Sequence, residues 1–463
     1  MGRFARRAFL KTAGMGLAAA PALAARSSAA PRAAEVPVPS FPPLSLDIGD
    51  FGAKGDGTTK NTAMIQEALD RCAVLGGGEV VVPTGRFLTG AIFIRSNTRL
   101  RFAPDAELVG SADLADYPVS QVRWEGKWIE GHGALVQAID AENIAVIGPG
   151  TISGAPSLGG RPTAENPLRH PALMEFVSCR NVLLDGFSTS YERMWSIHPV
   201  YCENVTARNL TIRSTTGNGD GIDIDSCRHV RIDRCDISTG DDCIAIKSGR
   251  GSEAHAIGRP TEDVVITNCT FADAIFACIG IGSETSGGIR GVRIAHCKFT
   301  HARTNAIYIK SRVGRGAFIE DIEAHDLNVT GTGLGFLRIN LESSGLHDQF
   351  PVPRVAGIPH AANFRFAYIT VRGVPQLVDA TEIHPLKPLD GLTLEDISGD
   401  GAKGIYMANI KGADIARVNL TGLTGPLLNI ANVTGKGLKG AAPITPPAPP
   451  ALVPEPAEPY RLK

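Results

Sequence analysis

The chain has 463 residues, 52 of them Gly and 31 Pro, with 43% hydrophobic residues and a formal net charge of −1. This composition fits a turn-rich, strand-rich soluble protein, and the length exceeds one ordinary core but suits a repetitive architecture. The near-neutral charge, with no Lys/Arg run and no basic–aromatic patch, excludes nucleic acid as the expected partner.

At the N-terminus, Arg3, Arg6, Arg7 and Lys11 precede an apolar, small-residue segment from Ala13 to Ala25. Pro21 interrupts it, and it is too short to span a bilayer as a mature helix. Residues 1–25 are therefore expected to be an export signal cleaved near Ala22-Leu23-Ala24. The run Arg6-Arg7-Ala8-Phe9-Leu10-Lys11 resembles the twin-arginine motif of bacterial export. An ordinary secretory signal with a chance arginine pair is the alternative. Either way the expected location is periplasmic or secreted, with no membrane contact once the signal is removed. Taking four cations from 46 leaves 42 against 47 acids, a mildly acidic chain. Such a chain can still hold a polyanion in a small cationic cleft.

Residues 26–44 are Ala/Ser/Pro-rich and read as a linker, and residues 45–440 as one repetitive domain. From Asn61 to Ala73 the apolar residues Met64, Ile65, Ala68, Leu69 and Cys72 fall on one helical face. Gly76-Gly77-Gly78 stops that helix and Val80-Val81-Val82 starts a strand. One amphipathic helix ahead of many strands suits an end cap, because a stacked core needs its open end covered.

A short phrase then recurs: a polar residue, an apolar one, and alternation into a second apolar pair. It appears at Asn143-Ile144, Asn181-Val182, Asn204-Val205, His229-Val230, Asp263-Val264, Gly291-Val292, Asp321-Ile322, Asn363-Phe364, Gly391-Leu392 and Asp414-Ile415. Strand repeats at this spacing without intervening helices imply an all-β, right-handed parallel β-helix. The shortest steps, Val182 to Val205, Val205 to Val230 and Leu392 to Ile415, are minimal coils. The longer ones, notably Val230 to Val264 and Ile322 to Phe364, are coils with loop insertions. A two-layer sandwich would show turns roughly every 8–12 residues instead. The nine cysteines include no CxxC pair and no zinc spacing, and most recur at equivalent places in apolar strands. They read as buried small hydrophobes, with one or two disulfides left open. Residues 441–463 are a Pro/Ala-rich, extended tail.

The stretch Asn218–Ser248 holds seven aspartates, interleaved with Ile and Cys. Asp220 and Asp242 are separated by close to one minimal coil, so stacking brings them side by side. Counting from the repeat phrases predicts one column containing Asp220, Asp241, Asp242, Phe276, Tyr308 and Lys310. Clustered carboxylates push one pKa upward and supply a protonated acid beside ionised bases. Glycoside hydrolysis needs that division. The alternatives are turn-forming aspartates and a calcium site. Trp195 and His198 precede Asp220 by about one coil again, and are expected in the same cleft as a sugar platform and a polar contact. His198 equally reads as a hydrogen-bonded structural histidine. Arg312 and Arg315, in a Gly-rich turn after Lys310, are candidates to bind a carboxylate. Lys247 is expected one face away, as much an ion-pair partner of Asp223 or Asp225 as a substrate contact. Glu284 reads equally as a cleft contact or a turn residue.

From Leu46 to about Leu420 the chain resembles glycoside hydrolase family 28, the polygalacturonase family. The likeness rests on DFGAKGDG, GGGEVVVPTGRFLTG, SADLADYP, MWSIHPVYCENVTARNLTI and NGDGIDIDSC…STGDDCIAIKSG. The first of these phrases resemble its bacterial exo-acting members. Asn218-Gly219-Asp220 matches the family's NTD with Gly for Thr, and Gly240-Asp241-Asp242 matches its acid pair. The resemblance implies Asp241 as general acid, and Asp220 with Asp242 as the pair that activates water for inverting hydrolysis. It implies a pectic polysaccharide substrate, and no cofactor or metal is called for. The chain is expected to act as a monomer. Two motifs depart. Phe276 stands where the family has histidine, and Tyr308 where it has the arginine of RIK; Lys310 is kept. The aromatic pair would offer a face for a less charged or deoxy sugar. A lyase or epimerase on the same solenoid, or a non-catalytic carbohydrate-binding β-helix, are the competing functions.

Overall fold

The computed structural model describes residues 36–158, 167–190, 194–215, 217–458, 460 and 461. The proposed export signal lies outside the described residues. Among the described residues no helix is long and apolar enough to cross a membrane.

Strands run from Ser45–Asp47 to Ala442–Pro443, nearly all paired in parallel with the strand one coil away. The architecture is a right-handed parallel β-helix. The recurring phrase is its unit. Ile144 pairs with Val182, Val182 with Val205, Val205 with Val230 and Val230 with Val264. Val264, Val292, Ile322, Phe364 and Leu392 continue the same row. All these side chains are buried and form a column of the core.

The polar residue of each phrase has a backbone cause. Asn143, Asn181, Asn204, His229, Asp263, Asp321 and Asn363 all have φ between 53° and 60°. Gly, and after it Asn, Asp and His, tolerate this left-handed corner best, which explains Gly291 and Gly391 at the same place, with φ of 68° and 83°. The asparagine amides also stack: Asn181 donates to Asn143 at 2.9 Å, and Asn204 to Asn181 at 2.9 Å.

The residue before each corner faces outward and builds a charge ladder. Glu142, Arg180, Glu203, Arg228, Glu262, Arg290 and Glu320 stack in that order, alternating in sign. The cysteines stack inside, where Cys202 N–H donates to Cys227 Sγ at 3.3 Å. All nine are free and buried.

The helix Thr62–Val74 covers the N-terminal end, burying Ile65, Ala68, Leu69 and Cys72. Three insertions meet beside the strand stack. They are an antiparallel hairpin (Val119–Trp124 with Lys127–His132), a loop carrying the helix Gly251–Ile257, and the loop 341–359. Ser252 N–H donates to Phe350 O at 2.7 Å, and Lys127 lies 3.4 Å from Glu253 and 3.6 Å from Asp348. The long steps from Val230 to Val264 and from Ile322 to Phe364 hold two of these insertions; the hairpin gave no signal in the repeat. The Pro-rich tail lies back against the third: Arg354 N–H donates to Val453 O at 2.8 Å and Arg354 pairs with Glu455 at 2.6 Å.

Candidate active site

The site occupies the outer face of one strand stack: Ile222–Asp225, Ile244–Lys247, Ile279–Ile281, Asn305–Lys310 and Gly335–Asn340. Ile222, Ile244, Ile279, Ile307 and Leu337 pair in one row and point into the core. Strand alternation then sends the next residues outward. Asp223, Ala245, Gly280, Tyr308 and Arg338 form that outer row. The acids come just before the strands. Gly221 N–H donates to Asp242 O at 3.0 Å, so Asp220 and Asp242 occupy adjacent rungs.

One carboxylate oxygen from each of Asp220, Asp241 and Asp242 lies within 4.8 Å of the others. The expected column needs a change in detail. Asp220, Asp241, Asp242 and Phe276 lie in the turns, whereas Tyr308 and Lys310 project from the strand itself. They meet because Lys310 is long enough to reach back. Its Nζ lies 2.7 Å from Asp242 Oδ2 and 4.5 Å from the Phe276 ring centre. Gly280 makes this contact possible: a Cβ there would come within 2.3 Å of Asp242 Oδ2. Asp242 Oδ1 also accepts from Ala277 N–H at 3.1 Å.

Lys247 supplies the second ammonium. It sits 2.5 Å from Asp223 and 3.5 Å from Asp220, on the same face as the acids rather than one face away. Asp220 and Asp242 are buried, while Asp241 keeps partial exposure. Burial, then the Asp242 charge, push the Asp241 carboxyl up to about 6, against the pull of Lys310 and Lys247. Burial and Asp223 push Asp220 well above the usual carboxylate range. Burial and like charge therefore hold protons on this cluster to higher pH than on ordinary carboxylates. Lys310 resists the deprotonating effect of burial because Asp242 and Asp241 hold its pKa up. The three oxygens also have the geometry of a cation site, but the two ammonium groups already supply the counter-charge, and calcium takes six to eight oxygens.

The other expected site residues divide. Trp195 is 2% exposed, so it is no sugar platform; the Lys247 ammonium lies 4.2 Å from its ring centre. The hairpin's Trp124 packs on the cluster of Ala134, Ala172, Met194 and Trp195. His198 is equally buried, edge-on to Trp195, with Nδ1 3.3 Å from Glu175 Oε2. That is the structural reading of this histidine. Arg169, at 2.9 Å, completes the Glu175 ion pair, and the two partners bring its carboxyl down to about 2 despite burial. Asn218 is buried with a left-handed φ of 67° and its amide against Met194 sulfur at 3.2 Å. Arg315 is 1% exposed and donates to Ser283 O and Leu346 O at 3.0 and 2.8 Å; it braces the loop 341–359 instead of facing the cleft. Arg312 is half-buried, donates to Gly345 O and lies 3.0 Å from His347, with no acidic partner among the described residues. Glu284 is buried; Lys247, Arg315 and Lys310 outweigh burial and lower its pKa.

Of the two ion-pair partners expected for Lys247, Asp223 is the one it meets. Sequence reasoning missed Gly280 and the pair Arg338–Glu382 at 2.6 Å. Register offers the signal for both, since each sits on the outer row or beside it. It also missed Arg123, which the hairpin inserts to pair with buried Asp225 at 2.8 Å.

The model of the glycosyl hydrolases family 28 matches residues 75–336. The chain belongs to that family. It is 33% identical over 291 residues to a "Probable polygalacturonase" of Vitis vinifera, across 60% of this chain and 59% of that protein. It thus spans under two thirds of that relative's length. It is 26% identical over 470 residues to the "Exo-poly-alpha-D-galacturonosidase" of Dickeya chrysanthemi, across 86% of this chain and 72% of that one. Among solved structures, the exopolygalacturonase of Thermotoga maritima matches with a TM-score of 0.67 and 28% identity, covering 87% of this chain and 94% of that one.

Proposed function

We propose that the protein hydrolyses glycosidic bonds of a pectic polysaccharide, with Asp241 as general acid and Asp242 with Asp220 holding the attacking water. The observation that carries this reading is the convergence of three carboxylates in which the partly exposed one, Asp241, is held near pKa 6. A group poised there still holds a proton in mildly acid solution and sits close to the operating range of a general acid. Asp242, fixed by Lys310 and the Ala277 N–H, is the base. Arg312 is the proposed grip on a galacturonate carboxylate. The wall of three insertions beside the strands favours action near a chain end.

The oxygens lie closer than the roughly 6.5–9.5 Å of inverting sites built from two carboxylates. The water is accordingly assigned to the Asp220–Asp242 pair, not to a gap between one acid and one base. Proton NMR of the first product tests this. Inversion gives the β-anomer from an α-linked galacturonate oligomer; an α-anomer would assign a carboxylate as nucleophile. Reducing ends without unsaturated product separate hydrolysis from elimination. The lyase reading is disfavoured because Lys310 is tied to Asp242, and the Tyr308 hydroxyl donates to Ser344 at 3.3 Å. We further propose twin-arginine export and a monomer. N-terminal sequencing of the exported protein and its elution volume test both.

A further inference from the structure

Beyond the acids, Phe276 from its turn and Tyr308 and Arg338 from the outer row form a stripe. Phe276 and Tyr308 have ring centres 5.9 Å apart and planes tilted by 33°, and the Arg338 guanidinium lies 5.6 Å from the Tyr308 centre. Each cation along this stripe already has its own acid. Lys247 is 2.5 Å from Asp223, Lys310 is 2.7 Å from Asp242, and Arg338 is 2.6 Å from Glu382. Further acid lies nearby. Burial and Glu382 push the Glu342 carboxyl up to about 7. Past Arg338 a groove of about 220 Å³ is lined by Asn305, Leu334, Arg338, Asp379 and Lys403, again with both signs present. A sugar carboxylate between Phe276, Tyr308 and Arg338 would meet aromatic rings and cations already paired with acids, and like-charge juxtaposition is costly; Arg312, whose guanidinium turns to Gly345 O and His347, is left for a neighbouring acidic sugar. A neutral ring fits better. Its C–H face stacks on an aromatic side chain, and its hydroxyls bond to both members of an Arg–carboxylate pair.

We propose that the sugar bound on the Phe276–Tyr308–Arg338 stripe is uncharged, so that the substrate is a mixed acidic and neutral polysaccharide, not a pure polygalacturonate. This rests on the hydrolase reading for the position of the cut bond, but the charge argument is about binding and can be tested without turnover. The experiment compares two probes of equal length, an α-galacturonate oligomer and an oligomer alternating galacturonate with rhamnose. Wild-type kcat/KM is expected to be on the order of tenfold or more higher on the alternating probe. The Asp241→Asn variant should also bind that probe more tightly in calorimetry. Tyr308→Arg, and independently Phe276→His, should narrow or reverse the preference, with melting curves confirming that each variant folds. Equal or better cleavage of the galacturonate oligomer would overturn the proposal and leave the hydrolase reading intact. If neither probe is cleaved, the hydrolase reading fails. Binding by Asp241→Asn then decides the charge inference alone: preference for the alternating probe upholds it, and equal or reversed affinity rejects it.

Discussion

Two outer stripes of this β-helix are stacks of charge, and they obey opposite rules. The ladder from Glu142 to Glu320 alternates in sign and is solvated; Arg180 and Glu142 are each 56% exposed, and their nearest atoms are 3.5 Å apart. The stripe from Asp220 to Lys310 puts like charges together and buries them. Exposed pairs of the first kind are worth about 0–1 kcal/mol each. Burying same-sign carboxylates costs far more unless protons or ammonium groups intervene. The ladder uses register to avoid electrostatic cost, whereas the second stripe uses it to create that cost, which marks the second as the place of chemistry.

The largest expected effect is at the acid. Asp241→Asn keeps the shape and removes the transferable proton, so kcat/KM should fall by about 10³-fold with no loss of melting temperature. Retained activity would remove Asp241 from its role. The next effect comes from space alone. Gly280→Ala adds a methyl group where 2.3 Å separates it from Asp242 Oδ2. A displacement of about 1 Å in a reacting group costs on the order of 10²-fold, so activity should drop by that amount while circular dichroism stays that of wild type.

The pH dependence sharpens the contrast further. The Asp241 carboxyl moves from an ordinary 3.8 to about 6 in the folded protein. The folded state therefore binds this proton more tightly than the unfolded chain does. The stability it contributes is complete below pH 3.8 and is lost as pH rises through 6. Two outcomes follow. The kcat/KM profile should fall above about pH 6 as the acid loses its proton. Asp241→Asn should gain stability relative to wild type between about pH 4 and 6, and then hold a constant advantage. A melting-temperature difference that is flat across this range would reject the assignment.

Much of this was legible because the repeat forces it. A left-handed corner admits few residue types, so Asn, Asp, Gly and His announce each coil before its apolar pair. The spacing of Asp220 and Asp242 along the chain is the register offset of their strands, Ile222 on Ile244. What stayed hidden depends on chain segments that the repeat does not control. Trp195 looks like a platform until the upstream hairpin packs Trp124 on its cluster. Arg315 looks available until Ser283 and, from the loop 341–359, Leu346 offer their carbonyl oxygens. Tyr308 and Lys310 were near the acids as expected, but counting along the chain could not tell a turn position from a strand position slightly further on.

The smallest effect should be in the ladder, and it tests whether exposure, not stacking, makes the difference. Arg228 is 53% exposed and faces Glu203 at 3.8 Å, with Glu262 on the next coil. Arg228→Gln should change stability by under about 1 kcal/mol and leave kcat/KM within twofold. Arg228→Glu places three acids in succession on the ladder, the same arrangement of sign that the active site has, but in water. Its cost should be about 1 kcal/mol at low salt and should shrink as salt screens the surface charges. A large loss that salt does not relieve would mean that stacked like charge is intolerable on any face of this β-helix. Burial would then no longer be what separates the two stripes.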